Sequence, residues 1–137
     1  MIKSTIKSLL QADLISVWDS VTSLHDFSWR SDIISIEVFD EKHFKETSKD
    51  GYETSFTITV VEPLMKYSFL MDNENLSGEW TGYFNQTERG TEIQFTESVC
   101  LKKWWLYPFA KWYLKKHQKQ YVSDLRLKLK LPISEDP

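Results

Sequence analysis

The sequence predicts an α+β domain in which a curved antiparallel sheet of about six to seven strands wraps around one long C-terminal helix. Two observations lead to this prediction. After one short helical stretch, strand-like segments follow each other with turn residues between them. A long helical pattern then begins at Pro108. Because several strands carry aromatic side chains on one face, that face needs a cover, and this helix is the only long element available.

Length and composition favour a single cytoplasmic domain that spans residues 1–137. A chain of 137 residues has the size of one domain, and its hydrophobic content of 41% argues against disorder. The only cysteine is Cys100, so no internal disulfide can form. No apolar run reaches the roughly 20 residues of a membrane-spanning helix, and the N-terminus lacks the apolar run of a signal peptide.

The first half of the chain predicts a strand, a short helix and a β-hairpin. Asp13 is the expected N-cap of the helix, because its carboxylate can accept a hydrogen bond from the first turn. The pair Asp50-Gly51 suits a tight hairpin turn. The predicted elements are a strand over 2–10, a helix within 12–27, strands over 32–40 and 42–48, and a turn at 49–52.

The second half predicts four more strands and the final helix. Pro63 ends the first of these strands, since proline cannot donate to a sheet ladder. Pro108 suits the first turn of a helix that runs to about residue 125, and the residues up to Tyr107 are expected to be strand end and loop. The predicted strands span 52–63, 65–71, 79–87 and 91–101. Strand alternation predicts one inward face that carries Phe56, Ile58, Tyr67, Phe69, Met71, Trp80 and Phe84.

The final helix has an apolar face with polar tips and a basic face. At about 100° per residue, Tyr113, His117 and Tyr121 fall on the same side as Ala110. That side must meet the sheet, so the three polar tips point toward the aromatic concavity. They suit either a polar-headed ligand or a filled core in which the polar groups satisfy each other. The basic side carries Lys111, Lys115, Lys116, Lys119, Arg126 and Lys130.

Short motifs in this order resemble a known superfamily. They are Val17-Trp18 in the first helix, Trp29 before the second strand, Glu62-Pro63 at a strand end and Gly90-Thr91 at a hairpin. The chain resembles the START/Bet v-allergen-like helix-grip superfamily, and within it the polyketide cyclase/dehydratase-like branch, the SRPBCC group. The resemblance covers almost the whole chain. It implies a hydrophobic cavity between the sheet and the final helix, and it carries over no catalytic motif and no cofactor.

Glu97 is a carboxylate in an otherwise apolar row. It shares a strand face with Ile93, Phe95 and Val99. Either it lies at a rim or turns outward at a bulge, or it points inside, where burial would raise its pKa. In the second case, Glu97 could act as a general acid or base together with His117.

The leading functional hypothesis is a protein that binds a small hydrophobic molecule, lipid-like or polyketide-like. The residues expected to bind it are Phe56, Tyr67, Phe69, Trp80, Phe84, Phe95, Tyr113, His117 and Tyr121. The competing hypothesis is an enzyme of the cyclase or dehydratase type with Glu97 and His117 as acid and base.

A third hypothesis is a membrane-surface or protein-docking module. It rests on Trp104, Trp105 and Trp112, which stand among the lysines of the final segment, because Trp and Lys together are favoured at bilayer interfaces. Trp112 falls on the basic face, where the cavity does not explain it. A lysine stem, the first helix, a second copy in a homodimer, or lipid would each cover it.

Other classes of function find little support. The histidines form no metal-ligand pattern, no phosphate-binding glycine loop is present, and no cofactor is expected. Nucleic acid is excluded as a partner because the net charge is -3, despite the basic helix. Arg30 and Asp32 are expected to form a surface pair.

Overall fold

A computed structural model of the chain describes residues 1–131. The prediction that residues 1–137 form one domain includes six residues outside this description, and it stays a prediction. The elements are β1 (Ile2–Leu10), α1 (Leu14–Thr22), β2 (Ile33–Val38), β3 (His43–Ser48), β4 (Glu53–Glu62), β5 (Lys66–Asp72), β6 (Leu76–Thr87), β7 (Gly90–Leu101), a 3-10 helix (Trp104–Leu106) and α2 (Tyr107–Lys128).

The strands form one seven-stranded antiparallel sheet in the order β1-β7-β6-β5-β4-β3-β2. The pairing of β1 with β7 brings the start of the chain beside its last strand. Register shifts at Ile33/Ser35 and at Ile58/Val60 interrupt the ladders, and such bulges bend a strand. Helix α2 packs against β1 and β7 across the concave side. The predicted fold class, a curved sheet wrapped around a long C-terminal helix, is confirmed.

Helix α1 begins as predicted and ends earlier than predicted. The Asp13 carboxylate accepts hydrogen bonds from the Ser16 backbone N–H at 3.0 Å and from the Ser16 hydroxyl at 2.7 Å. At the other end Ser23 adopts an extended backbone, with φ -68° and ψ 129°, so the helix stops at Thr22.

Helix α2 differs from its prediction at both ends. Trp104–Leu106 is a 3-10 helix rather than strand end and loop, and α2 begins at Tyr107 with Pro108 in its first turn. Its last residue is Lys128, about one turn later than expected.

The prediction that Arg126 lies on the basic, solvent-facing side of α2 is wrong. Its side chain is buried, and its guanidinium donates hydrogen bonds to the Ser8 hydroxyl at 2.6 Å and to the Leu9 carbonyl at 3.0 Å. Gln118, also buried, exchanges hydrogen bonds with Ser4. The physical reason is that α2 buries two sides. Its apolar face meets the sheet interior and an adjacent side packs against β1, whereas the helical wheel assumes a single buried face.

One end of the sheet is filled with a tight core beneath α1. Trp18 of α1 meets Phe84 edge to face with ring centroids 5.0 Å apart. The buried cluster begins at this end and extends along the sheet; it consists of Leu10, Val17, Trp18, Tyr67, Trp80, Phe84, Ile93, Phe95, Val122 and Leu125. Within residues 1–131, no helix combines the length and apolar content that crossing a bilayer requires.

Candidate functional site

A cavity of about 810 Å³ lies between the concave side of the sheet and the first half of α2. Its apolar wall comes from five neighbouring strands, β3 to β7. The aromatic members of that wall are Phe44, Phe56, Tyr67, Phe69, Trp80 and Phe95. Their rings contact each other in sequence, so the wall is a continuous aromatic surface rather than separate patches.

The wall forms because alternate residues of each strand face inward. Phe69 and Trp80 are register partners on β5 and β6, and their rings stack with centroids 5.0 Å apart and planes 5° apart. Gly82 permits this arrangement, because a Cβ at that position would come within 2.5 Å of the Trp80 ring. A glycine two residues along the strand therefore lets the indole lie across the sheet.

The three polar tips predicted on α2 all line this cavity. Tyr113 and His117 stack with centroids 6.2 Å apart and planes 14° apart. Tyr121 lies deeper, edge-on to Phe95 and with the Arg30 guanidinium 5.4 Å from its ring centroid. Burial raises the pKa of both tyrosines, so each phenol stays protonated near neutral pH and can donate a hydrogen bond.

A network of charged side chains lies beside these tips. It includes Arg30 and Asp32, so the prediction that these two residues form a surface pair is wrong. The Arg30 guanidinium donates to Asp32 at 3.2 and 2.9 Å and to Glu46 at 2.7 and 3.2 Å. His117 Nε2 lies 3.1 Å from Asp32 Oδ2. All four residues line the cavity. The sequence does not predict a role for Glu46, because only the pairing of β3 with β2 brings this residue to Arg30.

The network shifts the pKa values of Asp32 and His117 in opposite directions. Burial alone would raise the pKa of Asp32, but hydrogen bonds from His117 and Arg30, together with the Arg30 charge, pull that pKa below its usual range. The hydrogen bond to Asp32 raises the pKa of His117 although burial opposes it. The resulting arrangement favours an ionised Asp32 and a protonated His117.

Glu97 lies on the cavity side of β7, which answers the question that its sequence position left open. It faces the same space as Arg30, Asp32 and His117. Burial raises its pKa, and the charges of His117 and Arg30 offset that effect only in part. Among residues 1–131, no side chain forms a hydrogen bond with the Glu97 carboxyl.

Comparisons with known proteins show which solved structures share this fold. No family model matches the sequence, and a search of curated proteins finds no match either. A START superfamily protein from Mycobacterium smegmatis superposes with a TM-score of 0.86 at 8% identity, covering 93% of this chain and 97% of that one. The chain has the START-like helix-grip fold.

Two further solved structures are similar to this chain. A conserved protein from Geobacillus kaustophilus has a TM-score of 0.79 at 14% identity, with 93% of each chain covered. DynU16, from the dynemicin biosynthetic locus, has a TM-score of 0.75 at 13% identity, and the match covers 95% of this chain and 48% of that one. Identities this low establish the fold alone.

Within this helix-grip fold, the predicted ligand-binding set divides in two. Eight of its members line the cavity: Phe56, Tyr67, Phe69, Trp80, Phe95, Tyr113, His117 and Tyr121. Phe84 faces inward as predicted but lies outside the lining, in the filled core between Trp18 and Phe95. Alternation along β6 identified its face correctly and could not tell that this part of the interior is occupied.

The mouth of the cavity is marked by residues that both line it and remain exposed. They are Ser31 before β2, Lys49, Asp50 and Tyr52 at the β3–β4 hairpin, Trp105 in the 3-10 helix, and Phe109 and Tyr113 in the first two turns of α2. Phe109 leaves 70% of its surface exposed. The opening of the helix-grip cavity is therefore rimmed by aromatic side chains.

Trp112 lies away from this mouth, on the basic side of α2, and is 65% exposed. The Lys116 ammonium lies 5.1 Å from its ring centroid, so a lysine partly covers the indole, which was one of the covers expected. Trp104 and Trp105 contact each other edge to face at 5.9 Å. In the described part of the chain, no group of three His, Cys, Asp or Glu residues is placed to hold a metal ion.

Proposed function

We propose that this protein binds a small, largely apolar molecule, lipid-like or polyketide-like, in the cavity between the sheet and α2. Phe56, Tyr67, Phe69, Trp80 and Phe95 contact its apolar body. Tyr113, His117 and Tyr121 meet its polar end, and Phe84 belongs to the filled core rather than to the binding wall.

The observation that carries the proposal is the hollow aromatic cavity itself. Its volume of about 810 Å³ lies within the range of roughly 300–1,000 Å³ that is typical of small-molecule sites. Interiors normally close-pack, so an aromatic concavity of this size with an exposed rim is suited to an occupant. The likeness to DynU16, a protein of a biosynthetic locus, agrees with a ligand from such chemistry.

The exposed, unpaired Cys100 suits the cytoplasm as the proposed compartment.

A fluorescence titration with N-phenyl-1-naphthylamine tests the binding function. We expect saturable enhancement at one site in the wild type. Phe69→Leu removes part of the cavity wall and should weaken binding about three- to tenfold, since shape complementarity of the wall is lost. Phe84→Leu is the matched control: it should lower stability and leave the affinity unchanged. Absence of binding, or equal losses in both variants, would contradict the proposal.

A cyclase- or dehydratase-type enzyme is the second candidate function, because Glu97 and His117 face one cavity with pKa values both shifted upward. In a dehydration, the Glu97 carboxylate takes the proton α to a carbonyl, and the His117 imidazolium protonates the hydroxyl that leaves as water. Conversion of 4-hydroxy-4-phenylbutan-2-one to its conjugated enone is followed by ultraviolet absorbance. We expect acceleration in the wild type that both Glu97→Gln and His117→Gln abolish. A rate equal to that of buffer excludes this chemistry for that substrate class.

Docking to an anionic membrane surface is the third candidate, supported by the exposed indoles of Trp104, Trp105 and Trp112 beside the lysines. Residues 100–131 hold nine Lys or Arg and one acid, which complements anionic lipid. Co-sedimentation with phosphatidylserine-containing vesicles should exceed that with pure phosphatidylcholine. Trp112→Ala should reduce it, whereas Met65→Ala, at an exposed apolar residue of the β4–β5 turn, should not. If no vesicle binds and Trp112→Ala instead dissociates a homodimer in sedimentation velocity, the surface is an interface between copies.

A further inference from the structure

The cationic and acidic side chains inside the cavity are unequal in number. Arg30 pairs with both Asp32 and Glu46, and His117 pairs with Asp32. These four groups match two cations to two acids. Glu97 is a third acid, and among the described residues no hydrogen bond reaches its carboxyl. Lys49 and Asp50 also line the cavity, but they lie exposed at its mouth.

The neighbours of Glu97 within the sheet are apolar and aromatic. Trp80 is its register partner on β6, and Phe95 and Val99 flank it on the same face of β7. The rings of Trp80 and Phe95 lie with centroids 4.9 Å apart. Glu97 is half-buried, so its carboxylate gives up part of its hydration without gaining a partner among the described residues, which is costly. The faces of aromatic rings attract cations and do not attract anions.

We propose that the ligand of this cavity carries, besides the polar end that Tyr113, His117 and Tyr121 meet, a basic nitrogen whose ammonium group pairs with Glu97, while its apolar body lies against Trp80 and Phe95. This inference rests on the proposed binding function and names its ligand class. An ammonium group restores charge balance and satisfies the free carboxyl. A carboxylate ligand would instead add a further negative charge beside three acids. Burial raises the pKa of Glu97, as expected for a carboxyl that has no hydrogen-bonded counter-ion among the described residues.

Three probes that share a naphthalene body and differ in their polar end test the inference: 2-(2-naphthyl)ethylamine, 2-(2-naphthyl)ethanol and 2-naphthylacetate. Isothermal titration calorimetry at pH 7 gives an affinity for each. We expect the amine to bind at least ~10-fold more tightly than the alcohol, and the acid most weakly, because a close pair in a desolvated site couples strongly. In Glu97→Gln the ratio of amine to alcohol affinity should fall close to one.

Glu92→Gln is the matched control. Glu92 lies on the same strand but on its outer, exposed face, so this change removes one negative charge without touching the cavity. The amine preference should persist in it. Wild-type protein that binds the alcohol as tightly as the amine, or Glu97→Gln protein that keeps the preference, overturns the inference. If neither the naphthalene probes nor N-phenyl-1-naphthylamine binds, the binding function itself fails.

Discussion

The end of the sheet beneath α1 and the end that faces the first half of α2 are built from the same kinds of residue and packed differently. Beneath α1, Trp18 fills the space against Tyr67 and Phe84. At the other end, Phe69 and Trp80 stack along the wall, and the space in front of them stays open. The difference is that α1 supplies a large side chain to one end, whereas the other end is faced by polar tips and charged groups. Aromatic strands thus give a core or a cavity according to what lies opposite them.

The largest expected effect is a difference in the free energy of unfolding between substitutions at the two ends. Phe84→Ala should lower the free energy of unfolding by about 3–5 kcal/mol, because it empties a filled core. Phe69→Ala should cost only about 1–2 kcal/mol, since one side of that ring already lacks protein contacts. Urea denaturation followed by circular dichroism measures both. Equal losses would mean that the open end is packed as tightly as the closed end.

Arg30 is expected to stabilise the open end through its charge network, whereas the closed end is stabilised by packing. Arg30→Gln leaves Asp32 and Glu46 as buried acids without their shared cation, which should cost about 3 kcal/mol. The control is Arg89→Gln, at an exposed arginine of the β6–β7 turn, for which we expect a change below about 0.5 kcal/mol. A loss below about 1 kcal/mol for Arg30→Gln would show that the network does not stabilise the fold.

A smaller effect is expected from the Asp32–His117 pair, whose contribution to stability should depend on pH. Asp32 has a lowered pKa, so its pairing is present above its usual value of 3.8 and fades as pH falls through its folded-state pKa. His117 has a raised pKa, so its contribution is complete below its usual value of 6.5 and is lost as pH rises through its folded-state pKa. Their mutual stabilisation is therefore complete between these two values.

Asp32→Asn should accordingly cost about 1 kcal/mol more near pH 5 than near pH 9, a modest figure because His117 is partly exposed. Unfolding measured at the two pH values gives the difference. The Asp40–His43 pair is the control, since both side chains are more than half exposed and Asp40→Asn should change stability little. If the cost of Asp32→Asn is the same at both pH values, His117 does not stabilise the fold through Asp32.

Patterns within single elements were predictable from the sequence. Two-residue alternation placed Phe56, Phe69 and Trp80 on the inner face, and four-residue spacing placed Tyr113, His117 and Tyr121 along one side of α2. Each of these inferences needs only the period of one helix or strand. The resemblance to the helix-grip superfamily then supplied the order in which the elements pack.

Features that depend on several elements were not predictable. The Arg30–Glu46 pair joins residues sixteen apart, and only the pairing of β2 with β3 brings them together. Arg126 belongs to a basic stripe in the sequence, yet contact between α2 and β1 buries it. Phe84 shares its strand face with Trp80, and only the position of Trp18 separates a core residue from a cavity residue.

The six tryptophan side chains permit the most direct test of the claim that one end is filled and the other binds a ligand. In a 1H–15N correlation spectrum each indole N–H gives its own signal, and N-phenyl-1-naphthylamine is titrated into the labelled protein. We predict that the signals of Trp80, in the wall, and Trp105, at the mouth, shift with saturation. The signals of Trp18, in the filled core, and Trp112, on the basic side of α2, should stay in place. Shifts at Trp18 or Trp112 without a shift at Trp80 would contradict the account.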